Sequence, residues 1–186
     1  MDYHFIPKLG YITSQSDLSR KYFNVGRTYF NEIGFKDIVY FELDVEYTPS
    51  LTNELLNREA IFLSGGNTFI FLENIRKRGF IPLLQKYVEN GGILIGQSAG
   101  SILMSKTIEM ATFLDENVSR LNNINSLHLV DFEFMPHWEG DSRLISQLEN
   151  LKSHHPIYAC KDGDWISVNG EEVQLHGEII KIEKGY

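Results

Sequence analysis

Ile93-Leu94-Ile95-Gly96-Gln97-Ser98-Ala99-Gly100 is the stretch on which the fold turns. Three consecutive apolar residues read as a strand buried on both faces, because a half-exposed strand would alternate. The strand runs directly into Gly96-x-Ser98-x-Gly100, and a helical run follows from about Ser101. Apolar strand, sharp glycine turn, then helix is the context a G-x-S-x-G elbow requires. Such a turn strains the backbone at the serine and lifts its hydroxyl above the carboxyl edge of a sheet. It also aims the next N–H, that of Ala99, at a substrate oxygen, and the helix N-terminus adds partial positive charge there.

Working outward, Ala60-Ile61-Phe62-Leu63 is a second fully apolar strand, ending at Ser64-Gly65-Gly66-Asn67. Leu9–Thr13 and Asp37–Leu43 read as two earlier strands. Between them a helix runs to about Ile33, capped by Ser16 or Asp17 and stopped by Gly34. A short helix follows Pro49-Ser50. Another spans about Thr68 to Arg78 and breaks at Gly79, and one more begins near Pro82 and stops at Asn90-Gly91-Gly92. Strand alternating with helix predicts a parallel sheet with helices on both faces. The pattern changes after about residue 107. His128–Phe132 reads as a strand, Asp141 to about Lys152 as a helix, and the stretch from Ile157 onward as short strands with a hairpin at Asn169-Gly170. No repeat, low-complexity segment or linker appears, so residues 1–186 read as a single domain.

The chain has 186 residues, 42% hydrophobic and 23% charged, which suits one domain with a sizeable core. Its formal net charge of -8 gives no electrostatic case for nucleic acid or an anionic membrane. The densest basic run, Arg76-Lys77-Arg78, falls at a helix end, where cations offset the dipole. No apolar stretch approaches membrane-spanning length, and the first residues lack a signal-peptide pattern. Cys160 is the only cysteine, so no internal disulfide forms and the sequence suits a reducing cytoplasm. It reads as a buried strand residue.

A serine hydroxyl needs a base. Of six histidines, His137 follows a strand and Pro136 and sits in a loop, where catalytic side chains concentrate. His128 reads as a packed strand residue, His154 and His155 sit at a helix end, His176 lies in the terminal hairpin region, and His4 precedes every strand. The acid that would orient His137 is open among Asp162, Asp164 and Asp115, each in a turn or loop. The Gly65-Gly66-Asn67 turn ends on the same sheet edge as Ser98, so its N–H groups can supply half of an oxyanion hole, with Asn67 capping the next helix. No His, Cys and carboxylate set has metal spacing, and no phosphate-binding glycine motif is present.

Gly65-Gly66-Asn67-Thr68-Phe69, Gly96-Gln97-Ser98-Ala99-Gly100, Pro136-His137 and Gly163-Asp164-Trp165-Ile166 together resemble peptidase E, the aspartyl dipeptidases, with the cyanophycinases as relatives. The resemblance implies an α/β fold like that of class I glutamine amidotransferases, with serine in place of cysteine. It is a flavodoxin-like, parallel-core three-layer sheet with helices on both faces and late antiparallel strands. It implies a metal-free, cofactor-free serine dipeptidase acting on small peptides with an N-terminal aspartate. By position, Ser98 matches the nucleophile and His137 the base, and the two acids assigned in the family fall on Asp162 and near Asp115. Gly66 and Ala99 would hold the oxyanion, and Asn67 and Arg143 would contact substrate. Arg143 lies in Gly140-Asp141-Ser142-Arg143, which resembles a Gly-Glu-Thr-Arg segment of the family, and its guanidinium can grip a carboxylate.

The family usually has a further strand and helix before the segment matching Leu9–Thr13. A sheet edge exposed by their loss would be covered by a second copy or by the C-terminal segment, so self-association stays open. Two other readings also stay open: a serine esterase on the same scaffold, and a non-catalytic relative that binds peptides or a protein.

Overall fold

The structure, a computed structural model, describes residues 7–149, 151 and 155–183. The elements in chain order are β1 (Lys8–Thr13), α1 (Lys21–Glu32), β2 (Asp37–Glu42), a 3₁₀ turn at Pro49–Leu51 leading into α2 (Thr52–Leu56), and β3 (Ala60–Leu63). Then come α3 (Thr68–Lys77), α4 (Phe80–Glu89), β4 (Ile93–Gly96), α5 (Ala99–Ile102) and a 3₁₀ segment at Glu109–Phe113. The last third contributes β5 (Glu133–Met135), α6 (Ser142–Glu149), β6 (Ile157–Ala159), β7 (Trp165–Asn169), β8 (Glu172–His176) and β9 (Ile180–Ile182).

The four early strands form one parallel sheet in the order β2-β1-β3-β4. Side-chain alternation divides its two faces. Leu9, Tyr11, Ala60 and Phe62 point to one side and meet Phe23 and Phe30 of α1. Ile12, Phe41, Ile61 and Leu63 point to the other, into a larger cluster with Phe69, Leu72, Phe80, Leu84 and Ile102 of α3, α4 and α5. β3 is buried along its whole length, which is why its sequence does not alternate. The α/β architecture with helices on both faces therefore matches the reading from sequence.

The late region departs from that reading in detail. β5 and β6 are parallel, β6 and β9 antiparallel, and β7 and β8 form the hairpin expected at Asn169-Gly170. Gly170 has a φ of 60°, as a tight hairpin turn demands. The strand expected at His128–Phe132 is absent, and the strand here is Glu133–Met135. The apolar run before it packs onto the turn after α5 instead. The N–H groups of Leu127, His128 and Leu129 donate to the carbonyls of Leu103, Ser105 and Met104, and His128 takes a φ of 49°.

Other boundaries shift for similar local reasons. Neither Ser16 nor Asp17 caps α1. Asp17 accepts from the N–H and hydroxyl of Ser19, Ser16 Oγ donates to Glu42, and the cap position falls on Arg20 in a left-handed conformation. The helix expected from Pro82 starts at Phe80, with Gly79 before it at φ 70°, and Pro82 occupies the first turn, where its missing N–H has no intrahelical partner to lose. α6 spans Ser142–Glu149. Among the described residues the C-terminal segment, as β9, pairs with β6 rather than with either edge of the main sheet, so this part of it does not give the edge cover expected as one of the two alternatives. Arg78 donates to the carbonyls of Leu43 and Asp44, and Arg76 to those of Asn123 and Asn125, so the basic run braces loops. Among the described residues, no helix is long and apolar enough to cross a membrane.

Candidate active site

Ser98 sits between β4 and α5 with φ 51° and ψ -111°, a conformation that non-glycine residues adopt only under constraint. The constraint comes from close backbone packing. A Cβ on Gly96 would lie 2.6 Å from the carbonyl carbon and oxygen of Gly100, and one on Gly100 would lie 2.2 Å from the carbonyl oxygen of Leu63. Both glycines are therefore required by approach rather than by dihedral. Hydrogen bonds lock the turn to β3: Gln97 N–H donates to Leu63 O and Gly100 N–H to Ser64 O. The helix behind the elbow is only four residues long. It supplies little macrodipole, contrary to the sequence expectation, so oriented N–H groups remain the main electrostatic asset of the turn.

The parallel pairing of β5 with β6 brings the other two groups together. Met135 pairs with Ala159, so the loops leaving the two strands emerge side by side. The ladder continues one step further, with Cys160 N–H donating to Met135 O and Trp138 N–H to Cys160 O. Trp138 is 3% exposed and anchors the loop. His137, between Pro136 and Trp138, is held at φ 58° with its ring outward. Its Nε2 lies 2.8 Å from Ser98 Oγ, and its Nδ1 lies 2.6 Å from Asp162 Oδ1. An ionised carboxylate only accepts hydrogen bonds, so Nδ1 carries the proton and Nε2 is left to accept from the Ser98 hydroxyl. The His137 side chain is 51% exposed and that of Asp162 82%, so water screens this contact.

The remaining candidates divide by what they already bind. Asp115 Oδ2 accepts from the Thr68 N–H (2.8 Å) and hydroxyl (2.6 Å) at the start of α3, so its carboxylate braces the glycine turn's helix. Asp164 accepts from the N–H groups of Lys161 and Glu178 and shapes the turn around Asp162. Asn67 caps α3 by accepting from Ile70 N–H, and its amide donates to Glu116 O. One amide hydrogen is left for a ligand. Arg143 is 88% exposed and pairs with Asp141 at 3.2 Å. Gly66 has a φ of 132°. Among the described residues, neither the Gly66 nor the Ala99 N–H donates to a protein acceptor.

His176 stacks on Trp165 with ring centroids 3.6 Å apart, and its Nε2 lies 3.1 Å from Ser167 Oγ. His128 is in a loop beside Asp131, not in the strand expected for it. His4 and His154 lie outside the described residues. Cys160 lies just past β6, and burial, with the nearby Asp164 charge, pushes its thiol up to about 12. A thiol that stays protonated at neutral pH is not a nucleophile. Among the described residues, no group of three or more His, Cys, Asp or Glu side chains could hold a metal ion. Sequence reasoning passed over Ser64, whose hydroxyl lies under the glycine turn. The signal was there, a serine between a fully apolar strand and Gly65-Gly66.

Comparison with known proteins gives a consistent result. The model of peptidase family S51 matches residues 2–176. An uncharacterized peptidase of Pasteurella multocida is 31% identical over 144 residues, covering 73% of this chain and 68% of that protein. A Drosophila melanogaster protein named a probable alpha-aspartyl dipeptidase is 28% identical over 142 residues, covering 70% of this chain and 58% of its own length. The crystal structure of a candidate peptidase E from Listeria monocytogenes superposes with a TM-score of 0.77 at 23% identity, over 92% of this chain and 87% of that one. It shares the fold.

Proposed function

The chain belongs to peptidase family S51 and is a serine peptidase, and from that premise we propose that Ser98, His137 and Asp162 are its catalytic triad and that it hydrolyses small peptides with an N-terminal aspartate. The observation that carries this reading is the continuous chain from Ser98 Oγ through both ring nitrogens of His137 to Asp162, at 2.8 and 2.6 Å. Both lengths are those of hydrogen bonds suited to proton transfer.

Ser98 Oγ attacks the scissile carbonyl as His137 Nε2 takes its proton. Asp162 holds the tautomer and stabilises the imidazolium that forms. The carbonyl oxygen becomes an oxyanion, held by the N–H groups of Gly66 and Ala99. His137 then gives its proton to the leaving amine, which departs and leaves an acyl-enzyme. Water, deprotonated by His137, attacks the ester, and His137 returns that proton to Ser98 Oγ as the acid product leaves. Asp115 is left out of this scheme because both contacts of its carboxylate are at the start of α3. The preference for aspartate rests on the resemblance to aspartyl dipeptidases, the name of the Drosophila relative and the exposed guanidinium of Arg143. To grip a substrate carboxylate, Arg143 exchanges its bond to Asp141 for one of the same kind.

Hydrolysis of Asp-X and Ala-X dipeptides by the wild type and by Ser98→Ala tests the reading. Turnover of Asp-X by the wild type should fall by roughly 10⁶-fold in the variant, the loss seen when a serine protease nucleophile is removed. Equal hydrolysis by both proteins contradicts the assignment of Ser98. Equal preference for Ala-X by the wild type contradicts the substrate class and leaves the triad standing.

A further inference from the structure

Behind the glycine turn lies a buried polar relay that the mechanism above does not use. Ser64 is 5% exposed, Ser14 3% and Asn74 5%. Asn74 Nδ2 donates to Ser14 O, Ser14 N–H donates to Ser64 Oγ at 3.0 Å, and Ser64 Oγ donates to Gly65 O at 2.9 Å. The backbone carbonyl of Ser64 meanwhile accepts from Gly100 N–H in the elbow. One residue thus ties three segments together: the end of β1, the glycine turn and the nucleophile elbow.

The carbonyl of Gly65 and the N–H of Gly66 belong to the same trans peptide unit, so they point in opposite directions. The Ser64 hydroxyl fixes the carbonyl toward the buried side, and the Gly66 N–H is thereby aimed outward. It is one of the two N–H groups without a protein acceptor noted above. The turn also lies against the nucleophile: a Cβ placed on Gly65 would sit 3.6 Å from Ser98 Cβ. On the other flank, a Cβ on Gly66 would fall 2.0 Å from Ser14 Oγ, so the turn packs closely on Ser14 and only glycine fits there. A hydrogen bond accepted by a peptide carbonyl also polarises the N–H across the same unit, which strengthens it as a donor.

We infer that Ser64 is a positioning residue, whose hydroxyl orients and polarises the Gly65–Gly66 peptide so that the Gly66 N–H meets the oxyanion formed at Ser98. This rests on the serine peptidase mechanism proposed above and adds to it a residue that touches no substrate. Because an oxyanion donor acts on the transition state and not on the bound substrate, loss of its alignment lowers kcat and spares KM.

The test compares the wild type, Ser64→Ala and Ser64→Thr for kcat, KM, thermal midpoint, and inhibition by a peptidyl boronic acid, whose tetrahedral adduct mimics the oxyanion. Removing a whole oxyanion donor costs about 10²–10³ in kcat, so misaligning one in Ser64→Ala is expected to cost roughly ten- to a hundredfold. Boronate affinity should weaken by a similar factor, KM should stay within about threefold, and the pH midpoint of kcat/KM should not move because His137 is untouched. Ser64→Thr, which keeps the hydroxyl, should restore most of the rate. A folded Ser64→Ala with wild-type kcat and boronate affinity overturns the inference, as does a loss confined to KM. If Ser64→Ala fails to fold because Ser14 N–H loses its buried acceptor, Ser64→Cys, close in volume and a weaker donor, carries the same comparison. A wild type that neither cleaves peptides nor binds the boronate brings down the proposed mechanism itself, and that shows before any Ser64 variant is made.

Discussion

At the scale of single residues, Asp162 distinguishes this site from a buried triad. Its side chain is 82% exposed, and it meets His137 Nδ1 at 2.6 Å. In a buried triad, neutralising the acid costs about 10⁴ in kcat because nothing else holds the tautomer. Here water reaches both partners and can replace part of what the carboxylate does. Asp162→Ala is therefore expected to lose on the order of 10²-fold in kcat, measured with Asp-X dipeptides, and Asp115→Ala should lower thermal stability more than it lowers kcat. A loss from Asp115→Ala equal to the loss from Ser98→Ala would move the acid's role to Asp115. The sequence alone left Asp115, Asp162 and Asp164 open because each is an acidic residue in a turn or loop. What separates them is which hydrogen bonds their carboxylates already make, and those partners lie up to 47 residues away, as Thr68 does from Asp115.

At the scale of elements, the elbow and the glycine turn were legible because their demands are local. Gly96 and Gly100 sit where backbone meets backbone, and the apolar runs on β3 and β4 announce strands. β3 is buried along its length, whereas β4, at the end of the sheet, leaves Ile93 exposed and the rest half-buried, so the expectation of a strand buried on both faces holds for β3 and not for β4. Gly100→Ala places a methyl group about 2 Å from the Leu63 carbonyl oxygen. Since that atom belongs to a central strand, it cannot swing aside. The variant should lose at least the 1–3 kcal/mol typical of overpacking, read as a lower denaturant midpoint, and should lose activity as the elbow shifts. An unchanged midpoint would mean that β3 and α5 are not held as closely as described. The late elements were less legible. His128–Phe132 has the apolar content of a strand, but the N–H groups of Leu127, His128 and Leu129 are taken by the 103–105 turn, and no local pattern reports that. The meeting of His137 with Asp162 depends on the parallel register of β5 and β6 across the 21 residues between Met135 and Ile157. That pairing is non-local, so only the His137 half of it could be picked out from loop position. The Ser64 relay escaped for the same reason, since its meaning lies in Ser14 and Asn74, distant in sequence.

At the scale of the whole molecule, a four-stranded parallel sheet places two glycine-rich turns at one carboxyl edge, those after β3 and β4. The smaller sheet brings His137 and Asp162 to that edge from the far end of the chain. Neither half is a site alone. The family match over residues 2–176 spans both, which accords with a function that requires both. The account stands on Ser98 being the one activated serine of this assembly. Its most direct test is mass spectrometry of the wild type and of Ser98→Ala after exposure to a fluorophosphonate, which an activated serine attacks with loss of fluoride. The account predicts a single adduct on the peptide containing Ser98 and none in the variant. An adduct on another serine, or no adduct on the folded wild type, would contradict it.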